Sequence, residues 1–111
     1  MDLREDTAGD VLILEVKGRI DSATAPALGE RLTALLTGAG RRLVLDLAQL
    51  EYISSAGFRV LLLAGKRADA GDSRLVLCGV SGKVRQLFDI GGFLDLFSIT
   101  ASREEGIASV R

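Results

Sequence analysis

The chain has no histidine, and that absence removes more chemistry than any other feature of its composition. No serine or cysteine here can be activated by an imidazole, and a zinc site would need an all-carboxylate set around a single thiol. There is one cysteine, so no intrachain disulfide can form; Cys78 sits in the apolar run Leu75–Cys78, where a packed, inert thiol is expected and a reducing cytoplasm fits best. Charge of one sign is also missing. Fourteen Lys and Arg against fifteen Asp and Glu leave a net charge of −1, with neither a basic footprint for nucleic acid nor an acidic tail. No apolar stretch approaches the roughly 18 residues of a membrane span, and the opening MDLREDTAGD is polar and acidic, so neither anchoring nor a secretory signal is expected. Glycine-rich phosphate loops of the GxGxxG or GxxxxGK[ST] type are lacking too.

What remains is a chain of 111 residues, 48% apolar, of the size of one domain spanning residues 1–111. Apolar runs predict strands at 11–16 (VLILEV), 43–47 (LVLDL), 74–78 (RLVLC) and 96–99 (LFSI), with a short one near Leu3–Thr7. The first two are nearly continuous, as in strands covered on both faces. Leu28, Leu32, Leu35 and Leu36 share a helical face that stops at Gly38-Ala39-Gly40. Phe58, Leu61, Leu62 and Ala68 line a second helix ending at Gly71, with Arg59, Lys66, Arg67 and Asp69 toward water. Ser81 begins a third helix that carries Val84, Leu87 and Phe88 inward before Gly91-Gly92, and REEGIASVR suggests a short last one.

Strands alternating with helices predict an α/β fold with right-handed crossovers onto a largely parallel sheet. The loops at 18–24, 48–57 and 79–83 then leave one edge, where open sheets place their sites. Asp21 and the pair Ser54-Ser55 become neighbours across more than thirty positions. Either serine serves as a helix cap worth about 1 kcal/mol. Only one can hold that position, and Ala56-Gly57 leaves the backbone beside the other uncrowded. A helix N-terminus also tolerates added negative charge, so a phosphorylated serine there can alter docking without unfolding the domain. Asp21 reads equally as a turn aspartate or as a neighbour of that serine, and Thr24 as a cap. Asp46, amid apolar neighbours, is expected to hold a buried hydrogen bond rather than act as an acid or base. Lys83 and Arg85 at the third helix start are a weak anion signal, and Phe93 is either a core plug or an exposed contact.

The stretch LVLDLAQLEYISSAGFRVLL, with GRIDSATAPAL before it and VRQLFDIGGFLDLFSI after it, resembles a STAS domain of the anti-sigma factor antagonist type over nearly the whole chain. The resemblance implies a mixed, mostly parallel sheet with about four helices in a bacterial, cytoplasmic, non-enzymatic regulator. It implies that a serine at the head of the second helix is phosphorylated by an anti-sigma factor that is also a serine kinase, and that a metal-dependent serine phosphatase reverses this. ATP and magnesium would belong to the kinase; the chain itself would need no cofactor, would bind no nucleic acid or membrane, and would be a monomer when free. Family members usually carry Asp-Ser-Ser-Gly at this point, so Ser54 stands at the aspartate, Ser55 at the acceptor and Ala56 at the second serine. Ser55 is thereby the implied acceptor, with Ser54 second. Asp21, Thr24, Ser54, Ser55, Ala56, Gly57 and Arg59 are the implied contact residues. The rival readings are a STAS regulator of a non-sigma signalling or secretion pathway, an unphosphorylated scaffold, and an enzyme built on Asp46 or Cys78.

Overall fold

A computed structural model describes residues 1–111. The chain runs β1 (Asp2–Ala8), β2 (Val11–Ile20), α1 (Ala25–Leu35), β3 (Arg42–Asp46), β4 (Leu50–Ile53), α2 (Ser55–Ala70), β5 (Arg74–Cys78), α3 (Gly82–Ile90), a 3-10 turn (Leu94–Leu96), β6 (Ile99–Thr100) and α4 (Arg103–Val110). The sheet order is β1-β2-β3-β5-β6, with β4 also on β2. Only β1 is antiparallel to its neighbour; β2, β3, β4, β5 and β6 pair in parallel. The mixed, mostly parallel α/β architecture and the four helices agree with the sequence reading.

Local chemistry explains the pairing. Gly9 takes φ +63° in the two-residue turn that closes Ala8 onto Val11, a backbone position where a side chain is strained. Along β2, buried residues then divide between two faces, as the period of two requires. Leu14, Val16 and Ile20 join Leu28, Leu32, Leu61 and Phe88 beneath α1, α2 and α3. Val11 and Ile13 join Val44, Val76, Cys78 and Val110 beneath α4 alone. Gly106 lets α4 approach the sheet, since a Cβ there would lie 3.2 Å from the Val44 side chain.

Three expectations need correction. The LFSI run is not a strand: Leu96 closes the 3-10 turn and pairing is confined to Ile99–Thr100. Its apolar residues are consumed by packing, with Phe97 edge-on to Phe88 at 5.9 Å. The segment read as a loop at 48–57 contains β4, which pairs with a continuation of β2 beyond the predicted end at residue 16. Lys17 and Arg19 interrupt the apolar pattern there, which hid the extension. Thr24 does not cap α1 through its side chain, and the reason lies in the functional edge.

Candidate functional site

β2 and β4 end side by side: Ile20 pairs with Ile53, and the Ser54 amide donates to the Ile20 carbonyl at 2.9 Å. Asp21 and Ser54, the next residues on each strand, therefore leave the same edge together. Ser54 keeps an extended backbone and its Oγ accepts from the Gly57 amide at 3.4 Å, a long hydrogen bond that makes it the cap of α2. Ser55 is the first residue of the helix and is exposed. The capping duty thus falls to Ser54 and leaves the Ser55 hydroxyl in solvent at a helix terminus whose first amides have no acceptor within the helix.

Gly57 shows why the edge has this shape. It is buried, and a Cβ on it would lie 2.7 Å from Ile20 Cγ2 and 2.7 Å from Ile53 Cγ1, far inside ordinary contact. The first turn of α2 is thereby pressed onto the two strand ends. Phe58 locks the next position, stacked on Phe93 at 4.1 Å and edge-on to Phe88 at 4.8 Å, so Phe93 is a plug rather than a free contact. Ala56 is half-buried, and Arg59 is exposed one turn into the helix. Of the residues singled out in sequence, Asp21, Thr24, Ser54 and Ser55 converge on the junction, while Gly57 lies beneath it.

Asp21 is a turn residue in full. Its Oδ1 accepts from the amides of Ala23 (3.0 Å) and Thr24 (3.1 Å), and its carbonyl takes the Ala25 amide at 2.8 Å. A Thr24 cap would have accepted from the Ala27 amide, because Pro26 before it has none to give. Thr24 instead turns its hydroxyl back, accepting from the Asp21 amide and donating to the Arg19 carbonyl, each at 2.9 Å. The Thr24 amide is the largest influence holding the Asp21 carboxyl below its ordinary value; burial opposes it, and the Ala23 amide, the Thr24 hydroxyl and the Arg19 charge add to it.

Two features escaped sequence reading. Arg19 pairs with Tyr52 across β2 and β4, its guanidinium 4.3 Å from the ring centroid. Extending the strand to Ile20 would have exposed that pairing. Arg103, from α4, donates to Asp46 and to Glu15 at 2.9 Å each. Asp46 also accepts from the Ala48 amide at 3.0 Å, so it is a structural anchor as expected, with a partner that lay 57 residues away. Burial opposes the charge on Arg103, but the two carboxylates outweigh it and raise its affinity for the proton. Burial, reinforced by the Asp46 carboxylate, pushes the Cys78 thiol up to about 12, which leaves it unreactive.

The model of the STAS domain family matches residues 3–106. The chain belongs to the STAS domain family. BtrV of Bordetella bronchiseptica, named as an anti-sigma factor antagonist, is 41% identical over 111 residues, covering 100% of this chain and 96% of that one. Two solved structures share the STAS fold. An anti-sigma factor antagonist from Mycobacterium paratuberculosis superposes with a TM-score of 0.88 at 22% identity, over 99% of this chain and 93% of that one. The phosphorylated form of the Bacillus cell fate determinant SpoIIAA gives 0.70 at 17% identity, over 99% and 100%. No helix of this STAS domain is long and apolar enough to cross a membrane.

Proposed function

We propose that this STAS domain is an anti-sigma factor antagonist that switches partners through phosphorylation of Ser55. The observation that carries the reading is the division of labour at the head of α2: Ser54 caps, and Ser55 stands exposed on the first turn. The name of BtrV and the existence of a phosphorylated SpoIIAA support it. The chain has no glycine-rich loop to cradle a nucleotide, so the phosphoryl group comes from a separate kinase. That kinase is the anti-sigma factor. It binds the unmodified domain in the cytoplasm, releases its sigma factor, and is itself released once Ser55 is phosphorylated; a serine phosphatase resets the cycle.

The physics is local. Phosphate adds about −1.5 to −2 charges at a helix terminus that stabilises anions by about 0.3–1 kcal/mol, so the fold survives. A docked surface loses desolvation energy and meets new repulsion, so the complex does not. The test is to incubate the domain with the serine-kinase anti-sigma factors of its own organism, magnesium and ATP, and to map phosphate by mass spectrometry. Modification at Ser55 is expected. A kinase that binds the domain and leaves both Ser54 and Ser55 bare contradicts the switch, and a binding kinase with no sigma factor to release moves the domain to another signalling pathway.

A further inference from the structure

Arg19 rests over an aromatic ring and makes no ion pair. Arg31, Arg42 and Arg103 reach carboxylates, Arg41 and Arg74 donate to backbone carbonyls, and Arg4, Arg59, Arg67, Arg85 and Arg111 reach neither. Arg19 alone lies over an aromatic ring, 4.3 Å from the centroid of Tyr52, and it makes no ion pair and no side-chain hydrogen bond while remaining exposed. A cation–π contact at an exposed site, worth about 0.5–1 kcal/mol, biases the guanidinium toward the ring and leaves its N–H groups free. Asp21, two residues on, feels the Arg19 charge but makes no ion pair with it; its Oδ1 is taken by two amides and the Thr24 hydroxyl.

Position gives this cation its meaning. Arg19 and Tyr52 are paired across β2 and β4 on the sheet face opposite Ile20 and Ile53, two residues before Asp21 and Ser54, so the pair sits close to the edge from which the phosphoacceptor helix begins. A guanidinium without an ion pair suits a carboxylate bidentately and repels a basic surface. Tyrosine and arginine are also the residues on which protein contacts concentrate their energy.

We propose that Arg19, over the Tyr52 ring, selects the partner of this STAS domain by receiving a carboxylate of the anti-sigma factor at the sheet edge where α2 begins. The inference rests on the partner-switching reading and adds the chemistry of the matching surface: acidic where it faces Arg19.

The test uses the full chain and, as the probe, the ADP-bound kinase that binds it, with affinity and association rate measured at low and high salt. Arg19→Ala should weaken binding about tenfold at low salt and flatten the salt dependence of association, because removing a steering charge acts on the on-rate. Arg19→Glu should be weaker still, and Arg19→Lys intermediate, since lysine keeps the charge without the fork. An Asp or Glu to Arg change on the kinase surface should restore Arg19→Glu. Circular dichroism should match the unsubstituted chain for every variant; Arg19→Gln serves if Arg19→Glu folds poorly. Affinities of Arg19→Ala and Arg19→Gln within twofold of the original, with an unchanged salt slope, overturn the inference. If Ser55→Asp still weakens the complex in that case, partner switching stands and only the role of Arg19 falls. If no kinase binds, or Ser55→Asp binds as well as serine, both fall.

Discussion

Gly57→Ala tests how the switch helix is seated. The new Cβ would sit 2.7 Å from Ile20 Cγ2 and from Ile53 Cγ1. Both isoleucines are buried, at 0% and 1% exposure, so neither has room to retreat. The helix start must lift by several tenths of an ångström or the strand ends must part. Overpacking of this kind costs about 1–3 kcal/mol. Alanine in place of glycine inside a helix returns at most about 1 kcal/mol, and less in a first turn. The clash wins, and a net loss of about 1–2 kcal/mol is expected. Gly65 is the internal control. It lies in the same helix with nothing within 4 Å of its Cβ position, so Gly65→Ala should stabilise by about 0.5–1 kcal/mol. In urea denaturation followed by circular dichroism, with a slope of about 1.5 kcal/mol/M, the midpoints should move in opposite directions, by about 1 M down and about 0.5 M up. A Gly57→Ala chain as stable as the original would mean that α2 is not pressed onto the ends of β2 and β4.

Further expectations follow from the same geometry. Ser54→Ala should lose about 0.5–1 kcal/mol, toward the low end because its capping bond is long at 3.4 Å, whereas Ser55→Ala should lose less than about 0.5 kcal/mol; equal losses in denaturation would undo the assignment of the cap. Arg103→Met leaves Asp46 without its cation and should cost about 2–3 kcal/mol, less in an Asp46→Asn background, which a double-mutant cycle resolves. With the Cys78 thiol at about 12, only about one in ten thousand is ionised at pH 8, so iodoacetamide should label the folded chain very slowly and the urea-unfolded chain rapidly. Asp21 titrates below its ordinary 3.8 when folded, so the stability it contributes is complete above about pH 4 and is lost as pH falls through the folded value. Asp21→Asn should make the acid limb of the stability curve shallower, and an identical limb would remove Asp21 from the turn.

Much of this was legible because two periodicities recur without interruption. Leu28, Leu32 and Leu36 at helical spacing, and the branched runs of β2, β3 and β5, state their burial directly. The serine pair was legible as a cap and a free hydroxyl, although which serine did which depended on one backbone angle, the extended ψ of 175° at Ser54. The misreadings have separate causes. β4 has four residues, too few to show alternation, and its partner segment Gly18–Ile20 carries an exposed arginine. LFSI has strand composition, yet its aromatic is committed to a cluster around Phe88. Arg103 and Asp46 are separated by 57 positions, a pairing that no local pattern reports.

The central claim is that negative charge on Ser55 is accepted by the fold and refused by the partner. It is tested most directly by preparing the domain with phosphoserine at position 55 and measuring both its melting temperature and its affinity for the kinase that binds the unmodified chain. Melting within a few degrees of the unmodified protein together with at least a tenfold loss of affinity is the expected result. Undiminished affinity of the stoichiometrically phosphorylated domain would contradict it.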